Sequence, residues 1–280
     1  MDRFVLTLRC QDRPGIVRAF ADGVVAADGN IVESHQFSDP DTGTFTMRVA
    51  VDSPADVETL RSLVEERVAP LDATVTVRPE AQRRRVVILV SKFDHCLVDL
   101  LYRHQIGELP VDIPVVVSNH ETVRNLVEQQ GIPFVHIPVS PETKPEAEAQ
   151  LLDLVRQHDA DFVVLARYMQ VLSDDLCREL SGRVINIHHS FLPGFKGAKP
   201  YHRAHERGVK LIGATAHYVT ADLDEGPIIE QDVVRVSHTA TVADLVAMGR
   251  DVERLVLSRA VRRHAEDRVL LVGARTIVFD

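Results

Sequence analysis

Beyond Arg85 the chain changes rhythm about every twenty residues, and that alternation restricts its possible folds more than any other feature. Short β-rich runs occur at Val86–Val90, Val115–Val117, Phe134–Ile137, Phe162–Leu165 and Val184–Ile187. Between them lie segments of helical spacing near 94–105, 121–130, 145–158 and 173–180. Strands separated by helices predict a mainly parallel sheet with right-handed crossovers. Ile212–Val219 and Ile228–Val236 are too close for a crossover and predict a late antiparallel pair. Thr241–His264 reads as a long amphipathic helix.

In such a sheet, ligands bind beyond the carboxyl ends of the strands. Attention therefore falls on residues 183–200, where Val184, Ile185 and Ile187 give way to a loop rich in Gly, Pro and Lys. Asn186 and His188 are two apart and share one side of the strand. An amide donor and an imidazole placed there can hold a carbonyl oxygen as it becomes an oxyanion. They can equally satisfy backbone groups at the strand end. Asp224, in Ala-Asp-Leu-Asp-Glu-Gly-Pro-Ile-Ile, sits in a turn that feeds another apolar strand. From there it can pair with His188 and handle a proton. Burial would raise its pKa and a cationic His188 would lower it; the sequence leaves both open.

The first eighty residues follow a different plan. Residues 3–9, 31–37, 44–51 and 71–77 read as strands, with helices from about Pro14 and from Ser53 to Val68. Asp12 and Ser53 are the expected helix caps. The order βαββαβ predicts a ferredoxin-like domain over residues 1–80. Residues 81–84 are the expected linker and 85–280 the larger α/β domain. Arg83-Arg84-Arg85, the chain's basic run, reads as the solvated end of that linker.

Composition narrows the class of function. The net charge of −9 argues against a nucleic-acid partner. No apolar run reaches membrane-spanning length, and the opening Met-Asp-Arg-Phe-Val-Leu-Thr-Leu is too short and polar for a signal peptide. Cys10, Cys96 and Cys177 are widely spaced and odd in number, which predicts neither a disulfide framework nor a zinc knuckle. A cytoplasmic location is the expectation. His188-His189 and His202-x-x-His205 lack a completing ligand set, so no metal is expected. His95-Cys96 is a poor nucleophile–base pair, because neighbours on a helix point apart.

Two stretches carry a resemblance. Asn-Ile-His-His-Ser-Phe-Leu-Pro-Gly-Phe-Lys-Gly, from Asn186, and Asp-Leu-Asp-Glu-Gly-Pro-Ile-Ile, from Asp222, are similar to the formyltransferase family that uses 10-formyltetrahydrofolate. The resemblance extends over roughly residues 85–280 and is closest to members that hand the formyl group to water. It implies a Rossmann-like catalytic domain and Asn186, His188 and Asp224 as the catalytic set. The folate would be the substrate, with no permanently bound cofactor. Leu165, Arg167, Tyr168, Met169, Gln170, Val171 and Leu172 resemble the family's folate-pocket segment, and His217 matches a histidine near the catalytic centre. Met169 and Leu172 can also be ordinary packing residues, and His217 an ordinary strand histidine. Lys196 and Lys199 lie in the loop after the active-site strand, where a contact with the folate tail and plain solvation stand equal.

Relatives that formylate a sugar-phosphate amine carry a glycine-rich loop after the first strand of this domain. Here Ser91-Lys92-Phe93-Asp94-His95-Cys96-Leu97 contains no glycine, so a backbone cradle for phosphate is not expected. Lys92 can attract an anion, but Asp94 opposes it. The departure favours water over glycinamide ribonucleotide as acceptor. Arg13-Pro14-Gly15-Ile16, with Asn30, looks like an ACT domain. That resemblance implies a small amino-acid effector at Pro14, Gly15, Ile16 and Asn30, and a homo-oligomer built through this domain. The same residues also suit a plain helix-starting turn and a helix-ending asparagine. Two alternatives remain at this point: a folate-dependent transferase to an amine, and an amino-acid-sensing protein whose transferase-like half is inactive.

Overall fold

The computed structural model describes residues 1–192 and 200–280, in two units: Met1–Arg83 with Glu266–Asp280, and Arg84–Ala265.

The first unit runs β1 (Asp2–Gln11), α1 (Ile16–Ala26), β2 (Asn30–Asp39), β3 (Thr44–Ser53), α2 (Val57–Val68) and β4 (Thr74–Pro79). Its sheet has the order β2-β3-β1-β4, antiparallel throughout. Period-two alternation sends Phe4, Leu6 and Leu8 of β1, and Phe45, Met47, Val49 and Val51 of β3, to one face. There they bury against Phe20 and Val24 of α1 and Leu60 and Val64 of α2. The expected caps differ. Helix α1 starts after Gly15, whose φ of 96° only glycine adopts freely, and no side chain caps it. Helix α2 is capped by Asp56, which accepts from Thr59 N at 2.7 Å. Ser53 instead ends β3 and donates to Ala27 O at 2.7 Å. The fourth strand begins at Thr74, because residues 69–71 wind into a short 3₁₀ turn.

The last fifteen residues correct the expected boundary. Rather than belonging to the larger domain, Glu266–Asp280 join the first unit. They form an antiparallel hairpin of β12 (Val269–Val272) and β13 (Arg275–Val278). Arg9 donates to Leu271 O at 3.0 Å and Arg48 Nε to Glu266 O at 2.9 Å. Arg78 pairs with Asp267 at 2.7 Å, Arg268 with Glu33 at 3.0 Å and Arg275 with Asp39 at 2.8 Å. The chain thus covers, with its own end, sheet surface that the sequence alone leaves open to a partner.

The second unit runs β5 (Arg84–Val90), α3 (His95–Gln105), β6 (Val111–Ser118), α4 (Arg124–Glu128), β7 (Phe134–His136), α5 (Lys144–Gln157), β8 (Phe162–Leu165), α6 (Asp174–Glu179) and β9 (Val184–His188). Then follow α7 (Pro200–Glu206), β10 (Leu211–Tyr218), β11 (Ile228–Arg235) and α8 (Val242–Ala265). The sheet order is β11-β10-β9-β8-β5-β6-β7. Five strands are parallel, and β10 and β11 add an antiparallel edge. Successive residues Val86 to Val90 are all buried, as a strand covered on both faces requires. Helices α5 and α6 pack on Val87, Leu89 and Val163, while α8 lies over β9, β10 and β11. Arg84 and Arg85 open β5 rather than ending a solvated linker: Asp161 pairs with Arg84 at 3.0 Å and accepts from Arg85 N at 2.7 Å. Helix α4 is shorter than its sequence pattern, and the fold class is the one the alternation predicts.

Candidate active site

The order of strands reverses at β5: β6 and β7 build to one side, β8 and β9 to the other. Ligands bind at such a switch point, beyond the strand ends. Ser91, the first residue past β5, ties the crevice together. Its Oγ donates to Asn119 Oδ1 at 2.7 Å and accepts from Met169 N at 2.9 Å.

Beside this crevice lies a cavity of about 280 Å³. Strand β9 brings Asn186 and His188 to it, as their two-residue spacing requires. Strand β10 runs antiparallel and sets His217 directly opposite Asn186. Asn186 Nδ2 donates to His217 Nε2 at 3.2 Å, and His217 Nδ1 donates to Tyr218 O at 2.9 Å. An amide has two N–H groups, so one remains for a ligand. The β10–β11 turn returns Asp224 to the same place, with φ 58°, a conformation Asp tolerates better than most residues. Asp224 Oδ1 lies 3.2 Å from His188 Nδ1 and 3.8 Å from His217 Nε2. His188 is 5% exposed, and its Nε2 is buried with no hydrogen-bond partner among the described residues.

The charge state of Asp224 follows from these contacts. The hydrogen bond from His188, with His217 close by, holds it well below the ordinary carboxylate range, and burial opposes this less strongly. Of the two effects the sequence left open, pairing wins. Asp224 is therefore an ionised acceptor.

Leu165, Arg167, Tyr168, Met169, Gln170, Val171, Leu172 and His217 all line the cavity with Asn186, His188 and Asp224. The Arg167 guanidinium, however, reaches Glu253 and His189. Burial pushes the Tyr168 hydroxyl up to about 12, so it stays a neutral phenol. Lys92 is exposed and is not among the residues that line this cavity. Lys196 and Lys199 lie outside the described residues. In the first unit, Gly15 has open space where a Cβ would stand, and Asn30 is exposed at the start of β2. Pro14 is also exposed, and Ile16 is buried in the helix–sheet core.

Sequence reasoning missed the grouping of partly buried His95, Tyr201 and His189 around the buried Glu253. One signal was available for Glu253. It is a charge on the α8 stripe that also carries Val252, Val256, Leu257 and Ala260. With His95 and Cys96 it offers three possible metal-ligand atoms within 4.8 Å. Glu253 already accepts from His95 and Tyr201 and faces Arg167. Burial, aided by Glu253, drives the Cys96 thiol well above its ordinary range, which disfavours both a thiolate ligand and a thiolate nucleophile.

Residues 84–261 match the family described as formyl transferase. The chain is 55% identical to a formyltetrahydrofolate deformylase of Corynebacterium sp. (strain P-1), over 99% of this chain and 98% of the relative. A crystal structure of a formyltetrahydrofolate deformylase from Pseudomonas syringae pv. tomato superposes with a TM-score of 0.97 at 49% identity, covering 100% of this chain and 95% of the other. A glycinamide ribonucleotide transformylase from Symbiobacterium toebii gives 0.66 at 32% identity, over 71% of this chain and 95% of its own. No helix among the described residues is long and apolar enough to cross a membrane. The chain belongs to the formyl transferase family, on its formyltetrahydrofolate deformylase branch.

Proposed function

We propose that this chain hydrolyses 10-formyltetrahydrofolate to formate and tetrahydrofolate. The observation that carries the reading is the convergence of Asn186, His188 and Asp224 on one cavity, in a chain whose deformylase relatives match it from end to end. Water attacks the formyl carbon, a C–O bond forms, and the C–N10 bond then breaks. Asn186 Nδ2–H and His188 Nε2–H receive the oxyanion. Each such donor contributes roughly 2.7–4 kcal/mol of transition-state stabilisation. Asp224 orients His188 through its Nδ1 and accepts a hydrogen bond from the attacking water. The proton leaves the water as charge develops and ends on N10. The apolar segment Leu165–Leu172 shelters the pterin, and the folate is substrate rather than resident cofactor.

The amine-acceptor reading is not favoured, since the transformylase likeness covers 71% of this chain and the deformylase likeness all of it. The exposed Gly15 turn and Asn30 support a small amino-acid effector. The β2 and β4 edges support assembly into a homo-oligomer. Cys10, Cys96 and Cys177 are unpaired and buried, which suits a reducing compartment such as the cytoplasm. The test measures formate from 10-formyltetrahydrofolate with and without glycinamide ribonucleotide. Formate release independent of the amine is expected; formylated amine as the main product would overturn the reading.

A further inference from the structure

The reaction as written leaves one group of buried charges unused. Glu253 is 1% exposed, and both its oxygens are engaged. Tyr201 donates to Oε1 at 2.6 Å and His95 Nε2 to Oε2 at 2.8 Å, while Arg167 Nε stands 3.4 Å from Oε2. A carboxylate this deep is tolerated only when its charge is matched. Arg167 supplies the match, and its backbone bears a cost to do so. It sits at φ 63°, which a non-glycine residue rarely adopts without a reason. Its guanidinium lies over the Phe93 ring at 5.5 Å, and Nη1 reaches His189 Nδ1 at 2.7 Å.

A guanidinium can only donate. His189 Nδ1 must therefore accept, and the ring carries its proton on Nε2. Burial, and then the Arg167 charge, lower His189 to about 4, so it is neutral near pH 7. Its ring lies nearly parallel to that of His188, with centroids 5.0 Å apart and planes 20° apart. The two stacked imidazoles have opposite partners: a carboxylate holds Nδ1 of His188, a guanidinium Nδ1 of His189. His188 needs such a neighbour. Rotation about a histidine χ2 is soft, Asp224 holds only one nitrogen, and Nε2 has no partner among the described residues. A neutral ring stacks on His188 without adding a charge beside the oxyanion site.

We infer that Glu253, Arg167 and His189 form a positioning relay for His188: the carboxylate fixes the guanidinium, the guanidinium fixes the tautomer and plane of His189, and the stacked ring holds His188 at the oxyanion site. None of the three touches the reacting atoms in this scheme. The inference rests on the proposed role of His188, so His188→Ala is measured in parallel.

The experiment compares formate release by the full-length wild type, His189→Leu, His189→Phe and Glu253→Gln, with thermal melting and folate binding as controls. His189→Leu removes the ring and is expected to lower kcat about 10–100-fold, the scale of a ~1 Å misplacement, with KM nearly unchanged. His189→Phe keeps a flat ring and is expected to recover part of that loss. Glu253→Gln is expected to lower kcat in the same way; because it risks misfolding, the His189 pair at the cavity wall carries the decision. The relay is wrong if His189→Leu keeps kcat within about twofold, if its loss lies in KM, or if Phe and Leu are equally slow. Normal turnover by His188→Ala would instead overturn the role given to His188, whatever the His189 variants do.

Discussion

Asp224 Oδ1 stands 3.2 Å from His188 Nδ1 and 3.8 Å from His217 Nε2, so one carboxylate oxygen lies between two imidazoles carried by neighbouring antiparallel strands. That position keeps Asp224 ionised. It makes Asp224 the residue whose charge matters most.

Asp224→Asn preserves shape and removes charge. Formate release is expected to fall about 10²–10⁴-fold, the contribution of a positioned proton acceptor, with folate binding largely intact. Residual activity within about tenfold of wild type, or ~1.4 kcal/mol, would show that Asp224 is not the acceptor.

His189 should leave a mark on acid stability. Its folded pKa is depressed to about 4 by burial and by Arg167. Above about pH 6.5, the ordinary histidine value, the ring is neutral folded or unfolded. As pH falls, the unfolded chain binds the proton first, so stability drops through the window from about 6.5 to 4 and then levels. The drop amounts to roughly 3 kcal/mol across the window. Urea midpoints at a series of pH values should show a shallower acid slope in His189→Phe; equal slopes would refute the assignment.

Gly226 lies two residues past Asp224, where an added Cβ would come 1.7 Å from Tyr218 O. That oxygen is backbone and cannot swing aside. Gly226→Ala is expected to cost about 1–3 kcal/mol through overpacking. It should also lower kcat about 10–100-fold by displacing the Asp224 turn. A variant of wild-type kcat would mean that the turn does not set the carboxylate.

Asp267→Asn tests the carboxy-terminal hairpin. Arg78 and Asp267 are each only 13% exposed. Removing the Asp267 charge leaves Arg78 with its bonds to the Pro79 and Gln82 carbonyls but without its carboxylate, at a cost of about 1–3 kcal/mol. Hydrogen exchange should quicken in β1 and β3 and stay unchanged in β5 and β8. Unchanged exchange throughout would show that the hairpin is not a clasp.

The parts of the fold legible in the sequence are those encoded locally. Val86–Val90 and Phe162–Leu165 are continuous apolar runs and could only be buried strands. Asn186 and His188 interrupt such a run with period two, so their shared side was readable before any geometry. Asp224 was legible as a carboxylate in a turn feeding an apolar strand, but nothing local joins it to a strand thirty-six residues earlier, and the resemblance of its turn supplied that link. Glu253 and His189 act through Arg167, and no spacing links positions 167, 189 and 253. The hairpin was missed for the same reason: Arg268 and Arg275 look like ordinary surface charges until Glu33 and Asp39 are placed beside them. Helix starts went wrong where a glycine in a left-handed turn did the work expected of an aspartate.

The discontinuity of the first unit has a consequence for biogenesis. Met1–Arg83 leave the ribosome before Arg84–Ala265 and lack Glu266–Asp280 until that unit has been made. Throughout that interval Arg48 and Arg78 have neither the Glu266 carbonyl nor the Asp267 carboxylate. Domains ordinarily fold in the order they emerge. Here the inserted unit, Arg84–Ala265, has all its residues before the unit that precedes it does. The sheet of the first unit therefore gains its hairpin only after Arg84–Ala265 has been made, and a product truncated before Glu266 cannot complete it.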